Sequence, residues 1–213
     1  MSRVDDKNKT RFWFERQTPG LSLLCADFTT HEYPAHVHDA LMIAVTEAGG
    51  SEITASGVAD EAHSAALLVV NPAEPHSSRM NGSDHWRYRS FYLERSAIDD
   101  VLDGLGISEL PRFGRSILKD RDLIGGFLGL HRALDGGHAD QLRRRELLVA
   151  TFGQLARRYG GRGGRPQDEQ RARSHGYSPD CGMGGDARPR LRTAHTTNGL
   201  VGQTAAQIAP ESN

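Results

Sequence analysis

The sequence predicts a mainly β domain, a barrel or jelly roll, followed by about three α-helices and then a disordered tail. Three observations carry this expectation. Residues 11–95 hold short apolar or alternating segments punctuated by Gly, Pro and Asn turn signals, the spacing of a small all-β fold. After Arg95 the apolar period changes from two to between three and four, which is helical. Beyond Tyr159 the chain turns rich in Gly, Arg, Thr and Ala and poor in large apolar side chains. Such a segment buries too little apolar area to offset its ordering entropy. The expected organisation is a mobile arm over 1–10, a barrel over 11–95, a helical segment over 96–160 and a disordered tail over 161–213.

Composition narrows the classes. The formal net charge of −1 gives no field directed at nucleic acid. Two cysteines, Cys25 and Cys181, make no disulfide framework or zinc ribbon. The charged start MSRVDDKNKTR lacks the apolar centre of a secretion signal, and no apolar run approaches a membrane span. A soluble cytoplasmic protein without membrane partners is expected.

Taken in order, Arg11 to Glu15 is aromatic-rich and reads as a first strand, and Pro19-Gly20 as a turn. Leu21 to Thr30 forms a second strand, with Cys25 read as a small buried apolar residue without a neighbouring cation. Leu41 to Val45 suits a buried strand, Ser51 to Ser56 alternates with Ile53 inward, and Ala65 to Val70 is wholly apolar. Gly49-Gly50 and Gly57 break these segments. Asn81-Gly82 signals a tight turn. His85 to Leu93 then alternates, with Trp86, Tyr88, Ser90 and Tyr92 on one face and Arg87, Arg89, Phe91 and Leu93 on the other.

Ser96 to Asp99 has the form of a helix start, followed by Ile98, Val101, Leu102 and Leu105 at helical spacing. Asp120 is positioned to cap a second helix that closes at Asp135-Gly136-Gly137, and Asp140 a third that runs to about Tyr159. In the third, Leu148, Phe152, Leu155 and Tyr159 form one stripe, either a dimer seam or a face packed on the barrel. Arg143, Arg144 and Arg145 read as a solvated face. Gly160 to Pro166 reads as a flexible linker.

The chemistry concentrates between His31 and His76. His36 and His38 form an H-x-H pair whose side chains share a face if the segment is extended, and His76 ends the apolar run 65–70 with its Pro-rich extension. If these pair in one barrel, three imidazoles converge at its mouth. The stretches P-A-H-V-H-D at 34–39, L-V-V-N-P-A-E-P-H at 68–76 and W-R-Y-R-S-F-Y-L at 86–93 resemble the cupin barrel. More narrowly, they resemble the N-terminal sensor domain of AraC-type (arabinose-operon-regulator-like) transcription regulators, over roughly Phe12 to Tyr159.

The resemblance implies a small-molecule sensor that is not an enzyme and carries no cofactor. It implies a small effector bound by His36, His38, His76, Ser78, Tyr88 and Ser90, and a homodimer through the helical segment at Leu148, Phe152, Leu155 and Tyr159. Trp86 and Tyr92 read as core, and Arg79 as a surface residue. No metal is expected, because the cupin position for a carboxylate four residues after His38 is Met42, and Asp39 and Glu47 fall off that spacing. Were a metal held, His36, His38 and His76 would hold it. The alternative is a metal-dependent small cupin enzyme, an isomerase or dioxygenase, using the same three histidines. An intact AraC-type regulator contacts DNA through two helix-turn-helix units that the tail has neither the length nor the pattern to form. The tail therefore reads as truncated or out-of-frame sequence.

Overall fold

β1 (Lys9–Phe14) turns at Pro19-Gly20 and pairs antiparallel with β2 (Leu21–Phe28) in a computed structural model that describes residues 8–80, 82–136 and 140–161. The expected arm, except its last residues, and the expected tail lie outside the described residues. β3 (Glu32–His36), β4 (Leu41–Ala55), β5 (Val58–His63), β6 (Leu67–Val70), β7 (His76–Arg79) and β8 (Trp86–Leu93) follow. Then come α1 (Arg95–Leu105), β9 (Arg112–Phe113), β10 (Ile117–Leu118), α2 (Arg121–Asp135), α3 (Gln141–Tyr159) and β11 (Gly160–Gly161).

One sheet runs β1-β2-β8-β4-β6-β10, and the second half of β4 leaves it to pair with β5 and β7, the latter carrying β3. This is the mainly β fold with C-terminal helices that the alternation predicts. The two segments read as separate strands at 41–45 and 51–56 are one strand of fifteen residues. Its register shifts between Thr46 and Ala48. Gly49 adopts φ +69° there, and a side chain at that position would run into the His85 carbonyl. The glycines thus bend β4 between two pairings instead of ending it. At Ser56-Gly57 both residues take positive φ, the hairpin geometry that launches β5, a strand hidden in the sequence because its residues are mostly exposed and polar.

The register divides the large sheet into two faces. Leu21, Leu23, Leu41, Ile43, Val45, Phe91 and Leu93 lie on the side covered by the helices. They form the apolar core with Ile98, Leu102, Leu123, Phe127, Leu130, Leu148 and Phe152. The main core therefore sits between sheet and helices. Sheet and helices share it, so residues 96–160 are not a separate body. The opposite, inward face carries Phe12, Leu24, Ala26, Phe28, Met42, Ala44, Tyr88, Ser90 and Tyr92.

The helices start where acidic caps were expected, with one exception. Asp120 accepts from the amides of Asp122 and Leu123, and Asp140 from that of Arg143. α1 instead begins after Glu94 without a side-chain cap, and Ser96 donates its hydroxyl to the Pro19 carbonyl. The α3 stripe Leu148, Phe152 and Leu155 is buried in the protein's own core, with Tyr159 packed against it. It is occupied within the chain and is not a free dimer seam. Arg144, grouped with a solvated face, is buried and paired with Glu15 at 2.9 Å. Gly160 and Gly161, read as the start of a linker, pair with β9, and at Gly160 a side chain would strike the Ala156 carbonyl and Pro111.

Candidate ligand-binding site

The loop from Asn71 to Pro75 delivers His76. Asn71 is buried and fully engaged: its side-chain amide donates to Glu74 Oε2 at 2.6 Å and to the Phe113 carbonyl at 2.9 Å, and its carbonyl oxygen accepts from the Phe113 amide. Glu74 also accepts from the Ser56 hydroxyl at 2.6 Å. Burial alone would raise the Glu74 carboxyl, but the hydrogen bonds from Ser56 and Asn71 outweigh it and hold the group below its usual range. Ala73, with φ +59°, donates its amide to the His38 carbonyl at 2.9 Å, which seats the loop against the H-x-H segment.

His36 pairs with His76 across β3 and β7, and His38 approaches from the following turn. The ring centroids lie 4.2 Å apart for His36 and His76 and 4.7 Å for His38 and His76. One ligating nitrogen from each falls within 4.8 Å of the others. Each Nδ1 sits on a nearby backbone carbonyl: Pro34 at 2.8 Å, Ala40 at 2.9 Å and Glu74 at 2.9 Å respectively. A carbonyl only accepts, so Nδ1 carries the proton, and in the neutral ring Nε2 then presents a lone pair. Burial pushes the imidazolium of His76 down to about 4 and lowers that of His38, with charge on His36 acting in the same direction. The His38 and His76 imidazoles are thus neutral at physiological pH. His38 Nε2 is closed off from solvent and makes no hydrogen bond. Ser90 Oγ, equally enclosed, sits beside the Tyr92 hydroxyl and is bonded to it.

The AraC-like ligand binding domain family matches residues 18–152. The chain belongs to this family. No curated protein matches the sequence. Among solved structures, this AraC-like domain is similar to KdgF from Halomonas sp., at 17% identity and TM-score 0.37, over 46% of this chain and 88% of that one. It is also similar to the cupin domain of Cnp3 from Schizosaccharomyces pombe, at 14% identity and TM-score 0.39, over 52% and 80%. A Cupin 2 conserved barrel domain protein from Salinispora arenicola matches at 14% identity and TM-score 0.37, over 46% and 84%.

Of the residues expected to bind ligand in the AraC-like domain, His36, His38 and His76 come together, with Ser90 on the adjoining inward face. Ser78 shares the inward side of β7 with His76 and lies opposite Tyr33. Tyr88 is buried, stacked on Trp86 at 4.3 Å, and its hydroxyl meets that of Tyr33 at 3.1 Å. Tyr33 in turn has its ring 6.2 Å from that of His36, so Tyr88 is linked to the imidazoles through it. Tyr92, read as core, is half-buried with its ring 5.7 Å from His38. The supporting role of Asn71 and Glu74 was missed, although an Asn three residues before a Glu in a Pro-bounded loop is a signal for local side-chain bonding.

The three Nε2 lone pairs suit a divalent transition metal. Among the described residues no carboxylate joins them. Glu47 is engaged by Arg89 at 3.1 Å and Arg132 at 3.5 Å on the helix side, and Glu74 is committed to its loop. Bound there, a metal would supply Lewis-acid or redox chemistry, with His36, His38 and His76 as its protein ligands.

One other reading changes. Cys25 has Arg89 Nη1 at 3.1 Å from its sulfur, so a cation does adjoin it. Nearby, His131 is a fully buried residue of α2 on its sheet side, where Nε2 meets the Leu24 carbonyl and Nδ1 the Arg89 guanidinium. Arg79 is exposed and pairs with Glu52, as a surface residue should. No helix among the described residues is long and apolar enough to cross a membrane.

Proposed function

We propose that this chain is the effector-sensing domain of an AraC-type transcription regulator, acting in the cytoplasm. A small molecule enters between the two sheets and engages His36, His38 and His76, with Ser90 and Ser78 beside them. The observation that carries this reading is His38 Nε2, a buried polar atom without a partner, gathered with the nitrogens of His36 and His76. Such atoms are costly unless a guest or an ordered water satisfies them. Binding shifts a population of helix arrangements and performs no chemistry. Ser90 and Arg89 are neighbours on β8, one facing the interior and the other the helices, so occupancy is felt by α2.

Relatives that carry helix-turn-helix units read this shift out on DNA, and a second copy of this chain is its dimer partner. With the inner stripe of α3 buried, dimerisation falls to its outer face, where Leu142, Val149 and Ala150 line a groove of about 500 Å³ with Gly104 and Leu105. A thermal-shift screen of the purified protein against small metabolites tests the sensor reading. A binder raises the melting temperature by mass action, and His38→Ala removes the shift.

One observation favours a second reading, a metal-dependent cupin enzyme: three tethered imidazoles already aim their free nitrogens at one point. Elemental analysis separates the two. Stoichiometric transition metal, lost in His38→Ala, supports the enzyme.

A further inference from the structure

We infer that the effector is a neutral, flat, apolar-bodied molecule bearing adjacent hydroxyl groups at one end, an aromatic 1,2-diol in its simplest form. This rests on the sensor reading and adds the chemical class to it.

The first argument is the floor of the site. The three histidines offer lone pairs, since each Nδ1 is spent on a backbone carbonyl. A guest must therefore arrive with donors, and acceptors this close together call for donors on neighbouring atoms. Ser90 Oγ, buried beside the Tyr92 hydroxyl, can give or take a further bond.

The second argument excludes anions. Among the described strands, no arginine or lysine takes an inward position. Arg87 and Arg89 alternate to the helix side of β8, Lys9 and Arg11 to the same side of β1, and Arg79 is tied to Glu52. A carboxylate or phosphate would be buried without a counter-charge.

The third argument concerns the wall. Phe14, 63% exposed, lies on the inward face of edge strand β1, in register with Ser22 and, across β2, with Tyr92. Its ring meets Phe12 at 5.3 Å, Phe12 meets Tyr92 at 6.4 Å, and Tyr92 meets His38 at 5.7 Å. An unbroken file of rings thus leads from the surface to the imidazoles. Beside it the inward positions are Leu24, Met42, Ala44, Leu68 and Val70. The polar groups beyond the histidines are bonded among themselves, the Tyr33 hydroxyl to that of Tyr88 and the Trp86 indole to Thr46. A sugar, with hydroxyls all round, would leave most of them unpaired against this wall, whereas a ring with hydroxyls along one edge would not.

The test is calorimetric titration of the full chain, stripped of metal with a chelator and exchanged into clean buffer, with catechol, phenol, benzoate and ribose. Catechol should bind at least tenfold more tightly than the other three. His38→Ala and Phe12→Ala should each weaken it tenfold or more. Phe14→Ala, at an exposed site that leaves the fold intact, should weaken it severalfold. Equal binding of ribose or benzoate, or catechol binding unchanged in Phe12→Ala and Phe14→Ala, overturns the class. If the metabolite screen yields a His38-dependent binder while catechol does not bind, the class falls and the sensor reading stands. If neither catechol nor any metabolite binds the folded protein, both fall.

Discussion

His38 and His76 face each other with ring centroids 4.7 Å apart and planes inclined at 73°, each ring held by a carbonyl two residues away in its own segment. Two distant segments meet because the Asn71–Glu74 loop is bonded to Phe113 on one side and to the His38 carbonyl on the other. The imidazoles are preorganised, so a ligand need not order them.

The loop bonds make the first prediction. Asn71→Ala removes three side-chain hydrogen bonds and takes from the Phe113 amide its Asn71 acceptor. It should lower stability by about 2–4 kcal/mol, read by urea unfolding. Effector affinity should fall beyond what unfolding accounts for, since His76 loses its seat.

The pH dependence follows from buried neutral histidines. His76, His131 and His31 have folded values of about 4, below the ordinary 6.5, in each case chiefly through burial. The unfolded chain therefore takes up protons first. Stability is fully present above about pH 6.5 and is lost as pH falls towards 4. Denaturant midpoints measured between pH 8 and 4.5 should stay flat and then drop. His131→Gln, which keeps a donor for Leu24 but cannot titrate, should reduce the drop.

Breaking the ion pair between Arg144 and Glu15 leaves one buried charge alone. Arg144→Ala should cost about 3–5 kcal/mol, while the double change Arg144→Met with Glu15→Leu should cost much less. Thermal unfolding of the two variants compares them directly.

Two glycines in β4 and its turn separate conformational strain from steric conflict. Both have positive φ, near +69° for Gly49 and +78° for Gly57. A side chain at Gly57 meets open space, so Gly57→Ala should cost only about 1–2 kcal/mol for the left-handed backbone. Gly49→Ala adds a collision with the His85 carbonyl and should destabilise well beyond that, or block folding, as seen in soluble yield and melting temperature.

The dimer face is tested by mass. Leu142 is 68% exposed on α3. Leu142→Glu with Val149→Glu should shift light-scattering mass from dimer to monomer, and Leu155→Ala should lower the melting temperature without that selectivity.

The sequence by itself determined β1, β2, β6, β8 and the three helices, because alternation, helical spacing and the acidic caps at Asp120 and Asp140 are local properties. It also marked the three histidines through the H-x-H pair and the Pro-bounded His76. The tertiary structure decided what each face of those elements meets. The α3 stripe reads the same in sequence whether a partner or the protein's own core covers it, and here α1, α2 and Phe91 do. Arg144 looks like its charged neighbours until Glu15 approaches from the opposite end of the domain. Tyr88 and Tyr92 occupy one face of one strand, yet one is stacked on Trp86 and the other lies against His38. Periodicity reports which side chains point together, whereas burial, ion pairing and the proton state of an imidazole depend on atoms brought near by segments far away in the chain.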